Sequence, residues 1–232
     1  MSAEIINMLI NLLEYLQVLG HGLVMTLGLT AISLLIGSLL ALLCTLALTS
    51  SNRLIYFSVK GYITVFTGTP LLVQIFLIYY GPGQFAGLTD SVFWYWLSEP
   101  FFCAALALSL NCAAYTTLLF YGALNSINQG QWDSCASLGM SHKQTLSVLM
   151  PYALRRALPA YSNEVVLLLK GSSLASTITI MDIMGWAQRL NSQTYDTLVV
   201  FSAAGLLYLS LNLVITLSMS RIEKRVLAFE QA

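Results

Sequence analysis

Four stretches of this chain contain no Asp, Glu, Lys or Arg: residues 15–52, 61–89, 100–132 and 197–220. Each exceeds the roughly 20 residues an α-helix needs to cross the hydrocarbon of a bilayer. Of the 232 residues, 57% are apolar and 9% charged, against about 25% charged in soluble domains. So little polar surface would not keep a monomer in water, and the apolar content excludes disorder. One all-α transmembrane domain over residues 1–232 is expected, with membrane lipid as its surroundings. The formal net charge of zero offers no basic stripe to displace phosphate counterions, so no nucleic acid partner is expected.

Trimming by apolar density predicts spans near 22–47, 60–80, 102–122 and 198–219. A fifth is expected over 152–180, although it contains Glu164 and Lys170. An odd number of spans leaves the termini on opposite sides. The Lys/Arg bias sets the direction. Arg53, Lys60, Lys143, Arg155, Arg156, Arg221, Lys224 and Arg225 share one side with only Asp133, Glu223 and Glu230, a net +5. The other side has Arg189 against Glu4, Glu14, Asp90, Glu99, Asp182 and Asp196, a net −5. The C-terminus is thus expected in the cytoplasm and the N-terminus outside.

Glu4, Asn7, Asn11 and Glu14 recur at helical spacing opposite Ile5, Ile6, Leu9, Leu12, Leu13 and Leu16. This predicts an N-terminal amphipathic helix over 1–17, lying in the interface or packed on neighbouring spans. No secretory signal is expected there. The outer loop 81–101 is punctuated by Gly81, Pro82, Gly83 and Pro100, and its Phe93-Trp94-Tyr95-Trp96 run suits an interfacial aromatic belt. Cys44, Cys103, Cys112 and Cys135 have no metal-ligand spacing, and His21 and His142 lie on opposite sides. No metal site, catalytic group or cofactor is expected.

Two segments carry chemistry. The cytoplasmic loop 123–151 is too long for a simple connection. Trp132, Cys135, Leu138, Met140, Leu146, Val148 and Leu149 make it amphipathic, and Gly139 suits a turn between two short helices. Such a unit docks either in a groove of another protein or on its own bundle. The second segment surrounds Glu164. A carboxylate within a span costs about 2.5–3.5 kcal/mol on insertion scales and faces a cavity or a cation. Lys170 is a poor partner, since six residues rotate a helix by about 240°. Pairing across a subunit interface and contact with a substrate remain. A guanidinium suits the second, being planar, always charged and bidentate. Lys170-Gly171-Ser172-Ser173 suggests a broken helix lining a cavity, where Ser172 and Ser173 meet a substrate. Gly68-Thr69-Pro70 marks a kink. Asn163, Thr69 and Gln74 are further candidates, each also able to serve as an interhelical hydrogen bond.

Asp133-Ser134-Cys135, three residues, Gly139 and then Leu149-Met150-Pro151 resemble the coupling loop of ABC importer permeases. There the pattern is Glu-Ala-Ala, three residues, Gly, nine residues, Ile, any residue, Leu-Pro. Asp133 replaces the Glu, Ser134-Cys135 the two Ala, and Pro151 comes one residue early. Gly68-Thr69-Pro70-Leu71-Leu72-Val73-Gln74 and Leu158-Pro159-Ala160-Tyr161-Ser162-Asn163-Glu164-Val165 are similar to segments of the polar amino-acid uptake subfamily. Thr67 stands where many members have Arg. The resemblance covers about residues 20–228 and is nearest to M-type permeases of Gram-negative arginine transporters.

The resemblance implies a five-helix, MetI-like type I importer permease of the inner membrane, carrying a basic amino acid, arginine above all. It implies a second, Q-type permease subunit in a heterodimer, two cytoplasmic ATP-binding subunits and a periplasmic amino-acid binding protein. Asp133, Ser134, Cys135, Leu138, Gly139, Met140 and Pro151 would form the coupling loop, and Glu164 would meet the substrate. The chain has no GxxxxGK[ST] motif of its own, so ATP is expected on a partner. Rival readings are an importer of histidine or glutamine and a self-contained secondary transporter. A membrane enzyme ranks last, for want of paired catalytic residues.

Overall fold

The computed structural model describes residues 2–228, with side chains from residue 10 onward. All regular elements among them are helical. They are α1 (Ser2–Gly20), α2 (Leu23–Leu48), α3 (Arg53–Gly68), α4 (Leu71–Tyr80), α5 (Ala86–Thr89), α6 (Trp94–Leu97) and α7 (Pro100–Asn125). These are followed by α8 (Gln129–Ser137), α9 (His142–Ser172), α10 (Ile183–Thr194) and α11 (Thr197–Val226), with 3-10 turns at Pro82–Gln84 and Ser173–Ile178. Helices α2, α7 and α11 are each long and apolar enough to cross a membrane. The pairs α3/α4 and α9/α10 pass that test only when taken together, bent by 107° and 49°. With each bent pair as one span, the count is five.

Helix α7 is the centre of the bundle, packed against α2, α3, α4 and α9. Its buried positions are mostly small, among them Ala104, Ala107, Ser109, Cys112, Ala113, Ala114, Thr116 and Thr117. Small side chains let helix backbones approach closely where lipid supplies no hydrophobic drive for association. Gly37 of α2 illustrates the fit: a Cβ there would lie 3.0 Å from the Cys112 side chain. The hydroxyls of Thr30, Ser38, Thr45, Ser109 and Thr117 each donate to the carbonyl four residues earlier. Polar side chains thereby enter the apolar layer without unpaired donors.

Helices α1, α10 and α11 form a second cluster around Leu19, Ile183, Ala187, Val200 and Ala203. Of the two arrangements open to the N-terminal helix, the structure has it packed on neighbouring helices. It runs three residues beyond the expected end at 17. Leu19 is fully buried, and the Tyr15 hydroxyl donates to the Asp196 carboxylate at 3.5 Å. The side chains of Glu4, Ile5, Ile6, Asn7 and Leu9, and residue Glu230, lie outside the described residues.

Asp182 departs from its expected place on a charged outer surface. It is fully buried and caps α10, accepting from the Gly185 N–H at 2.8 Å and the Tyr208 hydroxyl at 3.2 Å. Thr26 of α2 accepts from the Ile183 N–H at 3.1 Å. Gly22 permits this joint, because a Cβ would overlap the Asp182–Ile183 backbone. The carboxylate is structural, so the acidic outer face expected from the sequence is one charge smaller than its sum.

Candidate functional site

Helix α9 carries both chemical segments. It begins at a capping box: the Ser141 side chain accepts from the Gln144 N–H, while the Gln144 side chain accepts from the Ser141 N–H at 2.8 Å. It then runs unbroken through Pro151 and Pro159 to Ser172. Residues 142–151, expected in the cytoplasmic loop, are therefore its first turns. Ser-x-x-Gln is the sequence signal for this start. From His142 to Glu164 the helix rises about 33 Å, so one element joins the loop to the membrane interior.

Glu164 is buried, with 9% of its surface exposed. It borders a cleft of about 230 Å³ formed with Leu71, Asn111, Tyr115, Leu167 and Leu168. Its carboxylate has no hydrogen bond or ion pair among the described residues, and Lys170 does not reach it. Lys170 is exposed on another face of the helix, as the rotation between the two positions requires. An unpaired carboxylate bordering a cleft has the chemistry to receive a cation.

The cleft borders the sharp bend between α3 and α4. Pro70 cannot continue a helix from Gly68, and the bend frees backbone carbonyls. Gln74 Nε2 donates to the carbonyls of Phe66 at 2.8 Å and Thr69 at 3.0 Å, and to Thr69 Oγ1 at 2.9 Å. Asn111 Nδ2 of α7 donates to Gln74 Oε1 at 2.9 Å and to the Phe66 carbonyl at 3.3 Å. Tyr115 donates to the Thr67 carbonyl at 3.2 Å, and Thr69 Oγ1 to that of Val65 at 2.8 Å. Asn111 and Tyr115 thus both hold the bend and line the cleft. Sequence reading missed them; a polar Asn inside the charge-free run 100–132 is the signal that was available.

Gln74→Leu removes all three bonds that Gln74 donates and the acceptor of Asn111 Nδ2, leaving polar groups at the bend less fully paired, a cost of about 1–3 kcal/mol. The expected result is a fall on the order of 5 °C in the melting midpoint of the purified protein in detergent. An unchanged midpoint would show that the bend is held some other way.

The remaining candidates are dispersed. Asn163 is exposed next to Glu164, on the flank of α9 that also exposes Leu167 and Lys170. Ser172 is fully buried, and its hydroxyl donates to the Leu169 carbonyl at 2.7 Å. Ser173 donates to the Lys170 carbonyl at 2.7 Å. Neither serine borders the Glu164 cleft. The break expected at 170–173 is a tightening into a 3-10 turn, and the backbone leaves the right-handed helical conformation only at Thr179, which has φ +70°.

In the loop expected on the cytoplasmic side, α8 is the first of the two expected short helices, and Gly139 makes the turn after it with φ +70°. Most of the apolar anchors face inward. Cys135, Leu146, Leu149 and Met150 pack with Leu124, Ile127 and Ala153, and Trp132 and Met140 pack beside them. Leu138, at 75% exposure, and Val148, at 52%, point outward. Asp133 and Ser134 are exposed on α8, with Asp133 accepting from Gln129 Nε2 at 3.1 Å. Pro151 lies inside α9 at the edge of a separate cleft with Leu46 and Lys143.

Comparisons with known proteins agree with this arrangement. Residues 33–228 match the family described as binding-protein-dependent transport system inner membrane component. The chain is 55% identical over 218 residues to the arginine ABC transporter permease protein ArtM of Haemophilus influenzae, covering 94% of this chain and 96% of that protein. It is 56% identical over 219 residues to ArtM of Escherichia coli K12, covering 94% and 98%. The nopaline transport system permease protein NocM of Agrobacterium fabrum is 45% identical over 193 residues, covering 82% and 80%. Among solved structures, that of an amino acid ABC transporter with histidines superposes with a TM-score of 0.83 at 30% identity, covering 93% of this chain and 97% of that one. The MetNI methionine ABC transporter shares the fold, with a TM-score of 0.73 at 19% identity over 90% and 96% of the two chains. An unbroken helix from the loop to a lone carboxylate, a bent α3/α4 pair and these relationships have one reading: the chain belongs to the binding-protein-dependent transport system inner membrane components, a family of permeases and not of enzymes.

Proposed function

We propose that this permease subunit passes a cationic amino acid, L-arginine, into the cytoplasm, with Glu164 receiving the guanidinium. The observation that carries the reading is the Glu164 carboxylate, buried in a membrane helix with no partner among the described residues and open to a small cleft. An ion left unpaired in such a place costs several kcal/mol, which a bound guanidinium offsets. The arginine permeases at 55–56% identity support the same substrate.

Two permease subunits, this one and a similar partner, would enclose the path. Two ATP-binding subunits would dock at α8, and a periplasmic binding protein would deliver the amino acid. The Lys/Arg bias supports α8 and the C-terminus in the cytoplasm and α1 outside. On this reading Leu138 and the polar face of α8 meet the ATPase, and α9 carries their displacement to Glu164 as a rigid rod. Rocking of the two permease subunits then opens the cleft to one side at a time.

The test is ATP hydrolysis by the reconstituted complex, with its binding protein, across arginine, lysine, histidine and glutamine. Arginine is expected to stimulate most and glutamine least. Equal or greater stimulation by glutamine would overturn the assignment. Uptake by this chain alone, driven by an ion gradient, would overturn the importer reading itself.

A further inference from the structure

A second cleft, larger than the one at Glu164, is unconnected with it. It is a groove of about 480 Å³ between α2 and α7, with Trp96 and Glu99 at one end and Ser109 at the other. Ten residues of α7 separate Glu99 from Ser109, a rise of about 15 Å. That is half of the roughly 30 Å hydrocarbon thickness, the depth of a single leaflet.

The walls of the groove are apolar. Ile32 and Ile36 of α2 form one side and Phe102, its ring tilted against Trp96 with centroids 5.6 Å apart, the other. The floor is Ala105 and Ser109, and the Ser109 hydroxyl is spent on the Ala105 carbonyl at 2.6 Å. Dividing volume by length gives a mean cross-section of about 30 Å². A helix about 10 Å across needs more than twice that, so a helix of a second subunit does not fit, whereas an extended hydrocarbon chain does. At the mouth, the Glu99 carboxylate has no hydrogen bond or ion pair among the described residues, and the Trp96 indole N–H has no acceptor among them.

We infer that this groove holds one acyl chain of a phospholipid whose headgroup ends in a primary ammonium. The ammonium meets Glu99, and the Trp96 N–H meets the phosphate or ester oxygens. A primary ammonium brings three N–H donors to the carboxylate, a trimethylated one none, and a glycerol headgroup no positive charge. The site is independent of the substrate reading, since it rests on α2, α6 and α7 alone.

The test is lipid retention by the purified, intact transporter complex in native mass spectrometry. Phosphatidylethanolamine, phosphatidylcholine and phosphatidylglycerol of identical acyl chains are titrated separately. Phosphatidylethanolamine is expected to be retained at least about fivefold over the other two. Glu99→Gln should abolish that preference, and Ile36→Trp, which fills the groove from its accessible rim, should lower retention of the preferred lipid. Equal retention of all three lipids, or an undiminished preference in Glu99→Gln, overturns the headgroup assignment. Dissociation of the permease pair by Ile36→Trp with lipid retention unaltered overturns the groove assignment, marking a subunit interface instead.

Discussion

Glu164→Gln is expected to raise the arginine concentration for half-maximal uptake by about 30- to 150-fold while leaving the complex assembled. The substitution keeps the size and planarity of the side chain and removes one charge. Losing one partner of a desolvated charge pair costs about 2–5 kcal/mol. The lower part of that range, 2–3 kcal/mol, corresponds to the stated fold-change at 1.4 kcal/mol per factor of ten. Folding should not suffer, because the wild-type carboxylate contributes no internal bond to be lost. A neutral side chain at this buried position removes a desolvation cost, so thermal stability should hold or rise. Glu164→Asp, with the charge retained and withdrawn by one methylene, should fall between the two. Uptake kinetics in proteoliposomes, with size-exclusion of the same preparations, provide the measurement. An unchanged half-saturation constant and rate would remove Glu164 from the substrate path, as would a loss confined to assembly.

The fold was readable in the sequence wherever a single physical constraint dominated. Charge-free runs trimmed by apolar density locate α2 and α7 to within three residues at each end and the start of α11 to within one, whereas α11 runs seven residues past its expected end. The kink at Gly68-Thr69-Pro70 was readable because Pro has no N–H. Its size, 107°, was not, because it depends on Gln74 and Asn111 converging from different helices onto the carbonyls that the bend frees. The boundary expected between the loop at 123–151 and the span at 152–180 falls inside α9, which begins at His142. A proline within a long helix is tolerated when the surrounding helices hold both halves in line, and the Ser141–Gln144 box was the better guide. Ser172 and Ser173 looked like site residues because hydroxyls in an apolar run suggest a cavity. Both donate to carbonyls of the preceding turn, a local bond that composition does not distinguish from ligand contact. That Glu164 lacks a partner along its own helix follows from the rotation between it and Lys170; that no other described residue pairs with it required three dimensions.

Gly139→Pro is expected to abolish arginine uptake and to reduce co-purification of the ATP-binding subunits by at least about tenfold, with the membrane spans still folded. Gly139 holds φ +70° and its N–H donates to the Ala136 carbonyl at 2.9 Å. Proline fixes φ near −65° and has no N–H, so the turn between α8 and the Ser141 cap cannot form. The effect should stay local, because the turn is exposed and a side chain at Gly139 meets nothing within 4 Å. Gly139→Asn, which tolerates the left-handed region, should retain most of the function, and that contrast isolates backbone geometry from side-chain bulk. Leu138→Asp supplies the complementary test, since this residue is 75% exposed and its replacement leaves the turn intact. It should weaken ATPase association while the melting midpoint of the permease remains unchanged. If α8 only covers the inner end of the bundle, the opposite pattern follows: Leu138→Asp has no effect on association, and Gly139→Pro lowers stability without releasing the ATPase. Full association in both variants would place the ATPase contact elsewhere. The continuity of α9 would then have no part in coupling.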